Sequence, residues 1–243
     1  MTVKLFAGVD LAAEASRTGL AFLSESDGKC VVDRLKVGAD DSSIIEAISV
    51  AERTGVDVPL GWPDQFVELI TAHSAHELHP PGSTDRQWRR GMAMRATDVA
   101  VHERTGLWPL SVATERIAYA AMRWAGIEAN LRESGIRVAR DGSGALFEVY
   151  PAAALKVWSL QHRGYKGAKN SASRLELVAA LSERIAYMDW NGHKDQCIED
   201  DNALDAVLAA LIAYEAFSGR CVPPPEDLSA TIKREGWIWL PKS

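Results

Sequence analysis

The sequence predicts an α/β fold of the mixed-sheet kind: a three-strand antiparallel meander continued by parallel strands, with a mainly helical section inserted at about residues 63–140. Three observations lead there. Short apolar runs at residues 3–10, 18–23 and 30–37 lie close together, two of them joined through the turn Ser26-Asp27-Gly28. Connections that short suit antiparallel neighbours, because a parallel crossover needs a dozen residues or more. A segment with Ile44, Ile45, Ile48 and Ala51 at helical spacing then leads into Val56-Asp57-Val58-Pro59. A strand reached through a helix runs parallel to the first. Finally, 243 residues, 47% of them hydrophobic and with eight tryptophans, are enough for a substantial core. No linker, repeat or low-complexity tract divides the chain, so one domain over residues 1–243 is expected.

The elements follow in order. Asp41 or Ser42 caps the first helix and Gly55 ends it. Residues 64–78 read as a helix that Pro80-Pro81-Gly82 must break. A basic segment comes next, with Arg86, Arg89, Arg90 and Arg95 around Trp88. Residues 112–134 form the longest helix candidate, with Ile117, Ala121, Trp124, Ile127 and Leu131 on one face. Residues 146–150 are a strand stopped by Pro151, and helices are expected at about 173–187 and 202–217. The tail, 236–241, alternates as an edge strand does. Three meandering strands followed by helix-connected strands is the ribonuclease H-like pattern. A doubly wound dinucleotide fold does not open on a meander.

Composition excludes several classes. A net charge of −6 gives no whole-surface attraction to nucleic acid, so such a partner needs a local basic patch. The apolar run 203–214 is interrupted by Asp205 and too short to span a bilayer, so no membrane association is expected. Asp10 arrives before an apolar targeting core can form, and a cytoplasmic location is expected. Cys30, Cys197 and Cys221 are dispersed, with no CxxC pair for a disulfide framework or zinc. His73, His76 and His79 drift around the helix axis and read as a surface cluster. Neither a Walker loop nor GxGxxG occurs.

The informative residues are acids inside apolar elements. Asp10 ends the first strand, Asp57 sits in Val-Asp-Val-Pro, Glu148 in Leu-Phe-Glu-Val-Tyr, and Asp205 interrupts an alanine-rich helix. Burying a carboxylate is costly without a cation, hydrogen bonds or a shifted pKa. The first, fourth and fifth strands are expected to be neighbours about 4.8 Å apart. Small residues around Asp205 would let its helix approach the sheet closely, and Asp201 lies four residues earlier. Carboxylates converging there would repel, and a hard divalent cation, Mg²⁺ or Mn²⁺, relieves that. Two-metal phosphodiester hydrolysis is the chemistry such a group serves best. Asp10, Asp57, Glu148, Asp201 and Asp205 are therefore the candidate ligands, the four other than Asp201 being also the catalytic candidates. For any one acid, a local ion pair is the competing reading.

The ordered set Gly8-Val9-Asp10-Leu11-Ala12, Val56-Asp57-Val58-Pro59-Leu60-Gly61, Arg95-Ala96-Thr97-Asp98, Glu148-Val149-Tyr150-Pro151, Tyr165-Lys166-Gly167, Asp201-Asn202-Ala203-Leu204-Asp205 and Glu235-Gly236-Trp237-Ile238 resembles domain-of-unknown-function family 429. Its members are regarded as predicted nucleases of the ribonuclease H-like fold. The resemblance spans nearly the whole chain. It implies Asp10 as the first-strand acid, Asp57 or Glu148 as the second, and Asp205 as the C-terminal helix acid.

Substrate contacts are expected from Arg95, Lys166 and Lys169. Arg95 is also spaced to pair with Asp98. His162, Arg163, Tyr165, Lys166 and Lys169 form a basic, glycine-containing loop after the Glu148 strand, able to cross the site as a mobile flap. Arg86, Arg89 and Arg90 with Trp88 offer a second basic surface, with a solvated loop as the alternative. The leading function is a metal-dependent nuclease acting on DNA or RNA. The alternatives are a phosphate-binding enzyme of the actin-like ATPase type and a non-catalytic nucleic-acid-binding or interaction module. The sequence leaves DNA against RNA, endo- against exonuclease action and oligomeric state open.

Overall fold

A computed structural model describes residues 3–242. The meander comes first: β1 (Lys4–Asp10), β2 (Gly19–Ser26) and β3 (Lys29–Val37) pair antiparallel, with a one-residue register shift between β2 and β3 at Phe22/Leu23. Asp27 and Gly28 both take positive φ at the β2–β3 turn, the geometry a two-residue hairpin requires. Helix α1 (Asp41–Val50) is capped by the Asp40 carboxylate, which accepts from the Ser43 amide, and buries Ile44, Ala47 and Ile48. Strand β4 (Arg53–Asp57) then runs parallel to β1. It begins and ends earlier than the apolar run 56–59 suggests, because Arg53, Thr54 and Gly55 supply ladder positions without apolar side chains.

The inserted section holds α2 (Asp64–Ser74), α3 (Arg86–Ala93), α4 (Ala96–Thr105) and α5 (Ile117–Glu133). Helix α2 stops at Ser74, well before the prolines. The basic segment is a helix, α3, started by the Asp85 side chain accepting from the Trp88 amide. Helix α5 begins at Ile117 rather than 112, and its expected face is buried through Ala121, Trp124, Ile127 and Leu131.

Strand β5 (Leu146–Val149) lies parallel beside β4, and Pro151 opens α6 (Pro151–Val157) instead of ending the order there, since proline suits a first helical turn. Helix α7 (Ser171–Arg184), β6 (Met188–Asp189), α8 (Lys194–Glu199), α9 (Asp201–Phe217), α10 (Ser229–Glu235) and β7 (Ile238–Trp239) complete the chain. Among the described residues the seven strands form one sheet in the order β6-β3-β2-β1-β4-β5-β7, with the tail as an edge strand. The central five strands have the ribonuclease H-like arrangement. Helix α9 packs on one face with α6 and α7, and α1 and α5 cover the other, giving three layers. No described helix is long and apolar enough to cross a membrane.

Candidate functional site

The site is built on strand register. Asp10 and Asp57 are paired positions at the carboxyl ends of the parallel strands β1 and β4, so their side chains leave the same face. Two residues back, Gly8 and Gly55 are also paired, and Gly19 lies opposite Asp10 on β2. These three glycines form a track beneath α9. A Cβ at Gly8 would overlap the Ala206 carbonyl oxygen, one at Gly55 that of Ala209, and one at Gly19 that of Asn202. The sheet lacks side chains where the helix is lined by alanine, so backbone meets backbone. Asp205 lies on that close-packed stripe of α9 and is 1% exposed.

Asp10, Asp57 and Asp205 thereby converge, each offering a carboxylate oxygen within 4.8 Å of the others. Burial, then Asp205 and Asp57, hold the Asp10 carboxyl well above the ordinary carboxylate range. Burial pushes Asp57 up to about 7, with Asp205 and Glu148 raising it further and Lys166 opposing them.

The loop after α6 closes over these acids. Tyr165 is buried, and its hydroxyl donates to Asp205 Oδ1 at 2.9 Å. Lys166 Nζ sits 2.7 Å from Asp205 Oδ2, while its side chain stays about half exposed. Among the described residues Lys166 is the partner of that buried oxygen. Asp205, above all, holds the Lys166 ammonium more firmly protonated than usual. Arg174, wholly buried on α7, fixes the loop by donating to the carbonyls of Tyr165, Gly167, Ile198 and Glu199 at 2.7–2.9 Å. The segment expected to be a mobile flap is thus anchored at its centre, although Lys166 crosses the acids as expected.

Two sequence expectations, on Glu148 and Arg95, are corrected here. Glu148 pairs with Val56, one residue out of register with Asp57, so its side chain leaves the opposite face. Both its oxygens are held by Arg95, at 2.6 and 2.9 Å, and one also accepts from the Leu60 amide, so it is not part of the acid group. Arg95 is 1% exposed and locked between Glu148, Asp98 and the Glu235 carbonyl, which removes it as a substrate contact. Asp201, in the first turn of α9, lies 4.0 Å from Arg174; it is not among the three acids that meet within 4.8 Å, yet it stands near enough to help raise the Asp10 carboxyl. Lys169 is exposed in the loop. His73, His76 and His79 lie on the surface as expected.

Tyr165 and Arg174 are the site residues that sequence reasoning undervalued. A signal existed for Arg174: it shares the stripe Arg174, Leu177, Val178, Leu181, where a charge must be paired to be buried.

Three carboxylates face one ammonium, and once all three are ionised they carry more negative charge than it offsets. An all-oxygen donor set of this kind fits a hard divalent cation such as Mg²⁺ or Mn²⁺. Beside the acids, with Asp57 and Lys166 in its wall, lies a cavity of about 410 Å³.

Comparison with protein families matches residues 8–229 to a model described as "Protein of unknown function (DUF429)". No curated protein and no solved structure matches the chain.

Proposed function

The chain belongs to the DUF429 family, and from its acid site we propose that it is a metal-dependent nuclease hydrolysing phosphodiester bonds of DNA or RNA. The observation that carries this reading is the convergence of Asp10, Asp57 and Asp205 beneath Lys166, with more negative charge than the protein itself balances. These three aspartates would hold Mg²⁺ or Mn²⁺, which when bound supplies water activation and charge stabilisation at the leaving oxygen. The protein's own residues do the rest. Tyr165 orients the Asp205 carboxylate through its hydrogen bond. Lys166, partly solvent-facing, offers a fixed cation to a non-bridging phosphate oxygen. The glycine track sets the distance between Asp205 and the strand acids.

A non-catalytic module is the second reading. It draws on the Lys166–Asp205 pair, which partly satisfies the site without any ion. Titration with Mn²⁺ followed by incubation with labelled DNA and RNA, beside Asp10→Asn, separates the two. The nuclease reading expects saturable Mn²⁺ binding and EDTA-sensitive cleavage, both lost in the variant. A protein that binds no Mn²⁺ and cuts nothing is the module.

A further inference from the structure

The inserted helical section has no part in the acid site, yet it builds one wall of the cavity beside it. Pro109, Leu110 and Ile117 come from the insertion, while Pro59 and Tyr150 come from the sheet side. The wall is mostly apolar and the volume lies in the range of small-molecule pockets. Asp57 and Lys166 belong to both the cavity and the acid site, so a group in the cavity is attached next to whatever the acids hold. His162, Arg163 and Lys166 stand together on the loop side of the cavity, where a phosphate backbone would be complemented.

Building on the nuclease reading, we infer that this cavity receives an unstacked nucleobase next to the scissile phosphate, and that the substrate is a strand with an unpaired nucleotide there. A base within an intact duplex cannot enter such a pocket without leaving its stack. Base identity is read weakly. Of the charged residues lining the cavity, Arg95 and Glu148 are spent on each other and Asp57 and Lys166 belong to the acid site, which leaves apolar and aromatic walls that accept any base by its π-face.

The test uses the full chain with DNA and RNA oligonucleotides carrying 2-aminopurine, presented as a single strand, as an intact duplex, and as a duplex with one unpaired nucleotide. Binding is followed by anisotropy, base environment by 2-aminopurine fluorescence, and cleavage separately with Mn²⁺. The expected result is at least tenfold tighter binding of the single-stranded and unpaired forms, with a fluorescence change on binding. Leu110 is 43% exposed, so Leu110→Trp should fold while filling the cavity from its rim. That variant should lose the preference and the fluorescence change but keep Mn²⁺ binding. Equal binding and cleavage of all three forms, or an unaltered preference in Leu110→Trp, overturns the pocket and leaves the nuclease standing. Neither binding nor cleavage of any form overturns both.

Discussion

Two groups of buried and half-buried carboxylates lie on opposite faces of one sheet, and they are balanced differently. On the α5 side, Glu148 and Asp98 share Arg95, whose guanidinium meets each of them twice and gives a further hydrogen bond to the Glu235 carbonyl. The Glu235 side chain accepts from the amides of Asp64 and Ala96, capping α2 and α4 together. Every charge there has a partner, and the group ties the insertion to the C-terminal tail. On the α9 side, Asp10, Asp57 and Asp205 face one lysine, and both that lysine and the Tyr165 hydroxyl are taken up by Asp205. A buried acid is therefore not in itself a catalytic sign. What distinguishes the α9 group is that, among the described residues, nothing donates a hydrogen bond to the Asp10 or Asp57 carboxylate.

Removing acids from the two groups should have opposite consequences. Asp10→Asn or Asp205→Asn should cut nuclease activity at least about a thousandfold, the several kcal/mol that metal-assisted chemistry supplies, while the apo protein melts at the same temperature or higher. Initial rates and melting curves on the same preparations check this pair. An Asp205→Asn protein that unfolds would make the α9 group structural like its counterpart.

Arg95→Met should act the other way, leaving Glu148 and Asp98 buried without their cation. The expected cost is about 3–5 kcal/mol, or roughly 10 °C in melting temperature for a domain of this size. Denaturant titration measures it. A loss below about 1 kcal/mol would mean that the two groups do not differ as described.

Mn²⁺ should stabilise the wild type by about 2.7 kcal/mol at a hundredfold excess over its Kd. The shift should vanish in Asp205→Asn and persist in Glu148→Gln once the lower starting stability of that variant is allowed for. Thermal unfolding with and without the ion reads it directly.

A last effect is on pH. Asp57 is pushed up to about 7 by burial, with Asp205 and Glu148 adding to it against Lys166. An acid with a raised folded pKa binds its proton more tightly when folded. Its contribution is full below the unfolded value near 4 and is lost as pH rises toward 7. Apo wild type should therefore lose stability across that window more steeply than Asp57→Asn, in melts taken at successive pH values.

The meander, the strand neighbours and the alanine-lined helix were legible because each rests on local spacing. Asp10, Asp57 and Asp205 were legible because acids in apolar runs are conspicuous. Glu148 looked identical to them by that criterion. Only register separates it, since one residue of offset between β4 and β5 sends its side chain to the other face. Arg95 was ambiguous for the same reason, its partner being 53 residues away. The short α6, α8 and β6 were missed because so few residues carry no readable period.

The glycine track turns a packing detail into a gauge. Gly→Ala substitution is ordinarily gentle, and within a strand it gains from a less flexible unfolded chain. At position 8 or 55 the added methyl must lift a whole helix, and the carboxylate of Asp205 travels with it. Helix height and acid reach are therefore one variable. A chain that acquired alanine at position 55 could restore the meeting of charges only by lengthening the acid, with glutamate at position 205. These two sites should change together or not at all, and the double variant Gly55→Ala/Asp205→Glu should recover metal binding that neither single variant retains.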